Sequence, residues 1–338
     1  MNWSSDWPRG HDDAVGHGVI RSNMADFRVR EELGFEADGE GEHALLHIEK
    51  TDQNTADIVR QVASLAGVQE SVIGFCGMKD RRAVTSQYFS VGLAGAAEPD
   101  WVKLENPSLK VLSVARHGRK LRRGGHARNC FELLLRDLSA DQAELDARCR
   151  ILEEKGVPNY FGPQRFGRNG ANLWKAEKWI AGGKAPRGRT HRGMILSSVR
   201  SWLFNECLAS LVRSQRWSRP GAGDVCILNG SRSFFVAKDV DSDLQQRHDS
   251  GDIHLAVPLW GEGESSWREN PLLHENRELT EWLQGQRLRM EYRSARLLPN
   301  DFSWEFCDDG ALRLQFSLPP GGFATAVLQE LITIDEAG

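Results

Sequence analysis

Alternation of polar and apolar residues with a period of two occurs near both ends of this chain and most limits its fold. Residues 26–31 and 43–49 alternate in this way, and residues 302–306 and 312–316 alternate again. Such segments form strands that keep one face on a core. A turn with the sequence Asp-Asp-Gly at residues 308–310 separates the last two segments. The sequence therefore predicts strands near both ends of the chain.

Helical periodicity appears between these strands. Residues 54–67 place apolar side chains on one helical face, with Asn54 as a candidate N-cap. Residues 139–155 begin with a capping box and end before a glycine. The chain has 338 residues, which exceeds a typical domain of about 100–200 residues. We therefore expect two domains, with a boundary near residue 156.

The composition gives no sign of a metal site, a disulfide framework or a membrane span. The six cysteines lie 19 or more residues apart, without a C-x-x-C pair. No run approaches the ~18 apolar residues of a membrane span, and the N-terminus lacks the apolar region of a signal peptide. We therefore expect a cytoplasmic protein that uses no cofactor or metal. The net charge of -4 does not mark a nucleic-acid binder, although phosphate binding depends on where the cations lie.

The stretch G-F-C-G-M-K-D-R-R-A-V-T at residues 74–85 places one carboxylate, Asp80, among the cations Lys79, Arg81 and Arg82. An apolar run precedes it and a β-prone run follows it, which predicts a strand, a loop and a strand. Neighbouring cations favour the ionised carboxylate, which is then available as a nucleophile rather than as a proton donor. A solvated turn has the same composition, so these residues alone leave both interpretations open.

The clearest concentration of charge follows at residues 116–128. No acid interrupts the span from residue 106 to residue 131. These cations suit contact with phosphates, because each neutralised phosphate releases counterions, but they also suit a solvated loop. The candidates for RNA-backbone contact in this run are Arg116, Arg119, Lys120, Arg122, Arg123 and Arg128.

Two further loops carry residue types that bind nucleotides. Residues 159–167, N-Y-F-G-P-Q-R-F-G, combine aromatic rings, amides and an arginine, which can stack on bases and bond their edges. At residues 318–327, Gly321 and Gly322 permit unusual backbone angles and would hold Phe323 at the mouth of a site. Each loop, taken alone, also suits a packed structural turn.

Three motifs in order give the chain a family resemblance. They are G-x-K-D-x-x-A-V-T around Asp80, N-Y-F-G-P-Q-R-F-G at 159–167, and L-P-P-G-G-F-A-T-A-V-L-Q-E-L at 318–331. Together they resemble the TruD family of tRNA pseudouridine synthases, and the likeness extends from about residue 27 to residue 331.

The resemblance implies an α+β fold. Its pseudouridine synthase catalytic core has a mixed, largely antiparallel sheet with flanking helices, and an inserted α/β TRUD domain interrupts it. In this sequence the core would comprise residues 1–155 and 302–338 as a discontinuous domain, and the insert would comprise residues 156–301.

The resemblance also assigns roles to residues at matching motif positions. Asp80 is similar to the catalytic aspartate of the family. Phe27, Asn129 and Phe323 are similar to the residues that hold the target nucleotide. Lys79 joins the cations of residues 116–128 as an RNA-backbone candidate on charge grounds only.

The activity that the resemblance implies is isomerisation of uridine to pseudouridine in tRNA, with uridine 13 of tRNA-Glu as the expected target. We expect a monomer without an obligate protein partner. One departure from the family pattern is Arg21, where a lysine is expected. Two other functions stay open from the residues: a non-catalytic RNA-binding module, in which Asp80 is a turn residue, and an N-glycosidic hydrolase, which would also use a carboxylate.

Overall fold

The computed structural model describes residue 3 and residues 5–336. Within them the chain divides into two compact units. The sheet unit comprises residues 15–149, 299–322 and 331–336. The helical unit comprises residue 3 and residues 5–14, 150–298 and 323–330.

The regular elements of the described residues are numbered in chain order. The strands are β1 (His17–Ile20), β2 (Phe27–Glu32), β3 (His43–Thr51), β4 (Ile73–Phe75), β5 (Val84–Gly92), β6 (Leu109–His117), β7 (Arg128–Leu135), β8 (Val157–Pro158), β9 (Val225–Leu228), β10 (Phe234–Val236), β11 (Ile253–Leu259), β12 (Glu291–Ser294), β13 (Arg296–Leu297), β14 (Asn300–Phe306), β15 (Leu312–Leu318) and β16 (Thr333–Glu336). The α-helices are α1 (Thr55–Ala66), α2 (Gln142–Lys155), α3 (Ala171–Ile180), α4 (Arg189–Arg213), α5 (Ser242–Asp249), α6 (Pro271–Glu275), α7 (Arg277–Gln284) and α8 (Ala324–Leu331).

An eight-stranded sheet dominates the sheet unit. Its order is β14-β15-β7-β2-β5-β3-β6, and β4 also pairs with β5. β2 and β5 run parallel, whereas the other neighbours in this sheet run antiparallel. The mixed, largely antiparallel sheet expected from the resemblance is therefore confirmed, as is the α+β class.

The core of the sheet unit follows from the period-two pattern. Residues 44, 46 and 48 of β3 and residues 89 and 91 of β5 form one buried cluster with the apolar face of α1. Gly67 ends α1 in the left-handed region with φ 64°, where glycine carries no steric penalty. The strands predicted at residues 26–31 and 43–49, the helix at 54–67 and the hairpin from 302 to 316 are all confirmed.

The helical unit contains a four-stranded sheet, β10-β9-β11-β12, and a short pair formed by β13 and β8. The 25-residue helix α4 supplies much of its core, because thirteen of its side chains are buried. Tyr160, Phe161 and Phe166 from the loop at residues 159–167 join this core. The alternative of a packed structural turn therefore describes part of this loop.

The expected domain bounds of 156 and 301 stay predictions. The two units divide the chain at residues 149–150 and 298–299. They also place residues 5–14 and 323–330 with the middle segment. Among residues 3 and 5–336, no helix combines the length and the apolar character needed to cross a membrane.

Candidate active site

The register of three central strands determines which side chains meet beside Asp80. Thr85 of β5 pairs with Val29 of β2 on one side and with Lys50 of β3 on the other. Side chains in one such row lie on the same face of a sheet. Phe27 precedes Val29 by two residues and therefore lies on this face too. The loop that carries Asp80 enters β5 directly before this row, so the loop, Phe27 and Lys50 converge.

Asp80 lies in the loop between β4 and β5, and its side chain is 52% exposed. Arg21 Nη2 donates a hydrogen bond to Asp80 Oδ2 over 2.8 Å. The same guanidinium lies over the ring of Phe27, with its central carbon 4.1 Å from the ring centroid. The guanidinium of Arg21 therefore bridges an accessible carboxylate and an aromatic ring. Phe27 is 2% exposed and supports the cation from below, so that the cation holds the carboxylate in place.

Buried polar side chains fix the backbone of the Asp80 loop. The Lys79 amide donates to Thr55 Oγ1 over 3.0 Å, and this hydroxyl donates to Gln87 Oε1 over 2.9 Å. Gln87 Nε2 in turn donates to the carbonyl of Gly77 over 3.1 Å. Thr55 and Gln87 are both fully buried, so the core determines the position of the loop. A loop held in this way keeps its catalytic group in place without help from the substrate.

Lys50 is a buried lysine that contacts the loop from β3. Its Nζ donates to the backbone carbonyl of Asp80 over 2.8 Å, and the residue is 1% exposed. Burial lowers the pKa of Lys50 to about 8, although the charge of Asp80 opposes this shift. Lys50 thus holds the backbone of the Asp80 loop, and the pKa of its ammonium group lies below the usual value for lysine.

Replacing Lys50 with methionine is expected to change how stability depends on pH. Between the folded pKa of about 8 and an unfolded value of about 10.4, the unfolded chain holds a proton that the folded protein has lost. The free energy of unfolding of the wild type therefore rises with pH in this window, by at most about 1.4 kcal/mol per pH unit. Lys50→Met lacks this contribution.

Urea unfolding of both proteins at several pH values checks this expectation. The wild type should gain up to about 3 kcal/mol relative to Lys50→Met between pH ~8 and ~10.5. Groups that both proteins share cancel in the difference. A stability difference that stays flat across the window would show that Lys50 titrates normally.

A second cluster of polar side chains surrounds Lys79. Its Nζ donates to Glu31 Oε2 over 2.6 Å and to Asn129 Oδ1 over 2.6 Å. The Lys79 side chain is 5% exposed and that of Glu31 is 0% exposed. Glu31 also accepts from the amide of Tyr88 over 3.1 Å. Its carboxylate thus accepts the hydrogen bond of a backbone amide of β5, on the edge of β5 with which both β2 and β4 pair.

The contact with Lys79 orients the Asn129 amide. Because Oδ1 accepts from the ammonium, Nδ2 faces His126 Nε2 at 3.1 Å. Burial, followed by the charge of Lys79, lowers the pKa of His126, which suits a neutral ring that accepts at Nε2. One hydrogen on Nδ2 and one lone pair on Oδ1 stay available. A half-buried amide fixed in this way can bond both a donor and an acceptor of a base edge.

The structure brings Asp80, Phe27, Asn129 and Lys79 into the sheet unit. Phe323 belongs to the helical unit, where its ring centroid lies 5.9 Å from that of Phe161. Its expected contact with the target nucleotide stays a prediction.

The cations of residues 116–128 have several partners within the sheet unit. Arg116 pairs with Glu98, Arg123 lies over Phe75 at 3.7 Å, and Lys120 donates to the carbonyl of Ser71. Arg128 pairs with Glu32 and Asp301, and the hydrogen bond from Arg128 is the largest cause that lowers the pKa of Glu32 to about 2. Arg119 and Arg122 are exposed and form no ion pair within the described part of the chain. The expected RNA contacts of this run stay predictions.

Sequence reasoning missed Lys50 and Glu31. Each occupies a core-facing position of an alternating strand: Lys50 continues the apolar series 44, 46 and 48, and Glu31 continues Phe27 and Val29. A charged residue at such a position needs a buried partner, and that signal was present in the sequence.

No group of three or more His, Cys, Asp or Glu side chains among residues 3 and 5–336 is placed to hold a metal ion. The expectation that the protein uses no metal or cofactor stays a prediction.

Comparison with known proteins decides the family. The sequence model of tRNA pseudouridine synthase D (TruD) matches residues 11–186 and 188–331. The chain is 43% identical to tRNA pseudouridine synthase D of Methylococcus capsulatus, over 98% of this chain and 96% of that protein. It is also 43% identical to the Nitrosococcus oceani protein of the same name, over 97% of this chain and 94% of that protein. The chain belongs to the tRNA pseudouridine synthase D family.

Membership of the tRNA pseudouridine synthase D family establishes the enzyme class. The protein is a pseudouridine synthase, an isomerase that acts in RNA modification, and the resemblance found in the sequence is confirmed. A solved structure of a Methanosarcina mazei protein described as tRNA pseudouridine synthase D shares the fold. Its TM-score is 0.69 at 20% identity, with 96% of this chain and 95% of that chain covered.

Proposed function

We propose that this protein isomerises uridine 13 of tRNA to pseudouridine, with tRNA-Glu as a substrate and Asp80 as the nucleophile or base. The observation that carries the proposal is the Asp80 carboxylate, which is half exposed and held by Arg21 beside the ring of Phe27. Relatives named tRNA pseudouridine synthase D support tRNA as the substrate. Position 13 and tRNA-Glu come from the family resemblance.

The reaction rearranges one nucleotide without net gain or loss of atoms. The bond from N1 to C1′ breaks, the uracil turns, and C5 bonds to C1′ while C5 gives up its hydrogen as a proton and N1 takes one. A uracil cannot rotate within a base stack, so the enzyme extrudes it at a cost of roughly a few kcal/mol. Phe27, to which the family resemblance assigns the target nucleotide, is 2% exposed and has Arg21 over its ring, so stacking of the base on this ring requires Arg21 to move.

Asp80 can start this rearrangement in three ways. Its carboxylate can attack C1′ of the ribose, attack C6 of the uracil, or remove a ribose proton to form a glycal. Each route needs an ionised carboxylate at the substrate, and Arg21 Nη2 donates a hydrogen bond to that carboxylate. Asn129, oriented by Lys79, offers a donor and an acceptor to the uracil edge or the ribose.

A tritium-release assay tests the substrate and the position. Purified protein is incubated with tRNA-Glu transcripts that carry uracil labelled with tritium at C5, and the released tritium is counted. We expect release from the normal transcript and none from a transcript in which uridine 13 alone is replaced by cytidine. Both transcripts should bind with similar affinity, since phosphate contacts dominate affinity.

Three other outcomes would contradict the proposal. Equal release from both transcripts would place the target elsewhere in the tRNA. Free uracil in the medium would indicate an N-glycosidic hydrolase. Intact binding without release from any tRNA would favour a non-catalytic RNA-binding module.

A further inference from the structure

The helical unit carries a second concentration of positive charge, which we call the basic hairpin (residues 165–192). It comprises the end of the loop at 159–167, helix α3, the connection to α4 and the first residues of α4. Glu177 is the one acid in the sequence from residue 156 to residue 205. The exposed cations of the basic hairpin are Arg165, Arg168, Lys175, Lys178, Lys184, Arg187, Arg189 and Arg192.

These cations differ from those of residues 116–128 in their partners. None of the eight forms an ion pair within the described part of the chain. Arg165 donates to the hydroxyls of Ser197 and Ser201, which are neutral. The basic hairpin therefore presents positive charge that the protein itself does not neutralise.

The charge is also placed where it opposes local stability. Arg189 and Arg192 lie in the first turn of α4, which contains no acid, and Gly188 at the N-cap supplies no side-chain cap. Cations near a helix N-terminus repel the positive end of the helix dipole. Violations of a local rule without internal compensation concentrate at functional or strained sites. An external polyanion would provide the compensation that is missing here.

An exposed aromatic ring lies among these cations. Trp174 of α3 is 55% exposed. Lys175 is its neighbour in sequence, and Lys178 lies one helical turn further on the exposed side of α3. Cations that follow a backbone, combined with an aromatic ring on which a base can stack, are the usual elements of single-stranded RNA binding. Charge alone would equally suit an acidic protein surface, and the exposed ring favours RNA.

We propose that the basic hairpin binds the ribose-phosphate backbone of RNA and that Trp174 stacks on an unpaired base. This inference rests on the proposed function, in which the substrate is tRNA. It places RNA contacts in the helical unit.

Charge reversal tests the basic hairpin directly. The triple variant Arg187→Glu, Arg189→Glu, Arg192→Glu should fold, because acids are favoured in the first turn of a helix. The matched control reverses three exposed cations of the same unit outside the hairpin: Arg232→Glu, Lys238→Glu, Arg287→Glu. The dissociation constant of unmodified tRNA is measured by filter binding at several salt concentrations.

We expect the hairpin variant to bind tRNA about 10–100-fold more weakly than the control at low salt. The association constant should depend less steeply on salt: the magnitude of the slope of its logarithm against log salt should be smaller by about 2, since each lost phosphate contact removes about 0.7–0.9. Wild-type affinity and slope in the hairpin variant would overturn the inference and leave the surface to an acidic partner.

A second variant reports on stacking. Trp174→Ala should weaken binding by about 10-fold with an unchanged salt slope, and Trp174→Phe should restore most of the affinity. Wild-type affinity in Trp174→Ala would remove the stacking part of the inference.

Binding and tritium release separate this inference from the proposed function. If the wild type releases tritium and the hairpin variant binds like the control, the inference fails and the function stands. If the wild type releases no tritium but the hairpin variant binds more weakly than the control, the function fails and the RNA-binding surface stands.

Discussion

Replacing Asp80 with asparagine is expected to lower the rate of pseudouridine formation by roughly 10³-fold, the range found when a group that acts as base or nucleophile is lost. Asparagine has nearly the same shape and can still accept the hydrogen bond from Arg21 Nη2. It lacks the negative charge that each of the three routes requires. Single-turnover tritium release with saturating protein measures the chemical step, and filter binding on the same samples measures tRNA affinity.

Affinity for tRNA should stay close to that of the wild type. Folding should also be little changed, because an exposed ion pair contributes about 0–1 kcal/mol. Asp52→Asn is a matched control: its side chain is 46% exposed and pairs with Arg81 over 3.0 Å, yet we assign it no chemistry. Asp80→Asn that keeps more than about a tenth of the wild-type rate would exclude Asp80 as nucleophile or base.

The largest expected effect on stability comes from Lys79→Met. This change leaves the carboxylate of Glu31, which is 0% exposed, without its cation. Breaking a buried ion pair by removing one partner destabilises a protein by about 3–5 kcal/mol. Asn129 also loses the contact that orients its amide, so we expect turnover to fall as well. Urea unfolding measures the lost free energy of unfolding. Native-state hydrogen exchange of the amides of β2 and β7 assigns that loss to the sheet unit.

Two further variants separate a buried pair from an ordinary surface lysine. Lys79→Met combined with Glu31→Met should regain part of the lost stability, because no unpaired charge is then buried. Lys103→Met removes an exposed lysine that lies 3.9 Å from Asp100 and should change stability by less than about 1 kcal/mol. If Lys79→Met is as stable as the wild type and instead lowers the salt slope of tRNA binding, Lys79 contacts the RNA backbone, as its charge alone predicts.

Local patterns explain which parts of the fold could be predicted from the sequence. The strands β2 and β3, helix α1 and the hairpin of β14 and β15 follow from period, caps and turns, which involve neighbouring residues only. The pairing order of the sheet does not follow from such patterns. The parallel pairing of β2 with β5 joins segments more than 50 residues apart, and periodicity contains no information on which strands pair.

The candidate site shows the same division between local and tertiary information. The sequence by itself determined that the Asp80 loop lies between two strands and which family the chain resembles. Through that resemblance it also indicated Phe27 and Asn129 as candidate site residues. Only the tertiary structure decided that Lys50 reaches the carbonyl of Asp80 and that Lys79 is buried against Glu31 and Asn129. The physical reason is that the partner of a charge depends on strand register and on burial, which the order of residues along the chain does not specify.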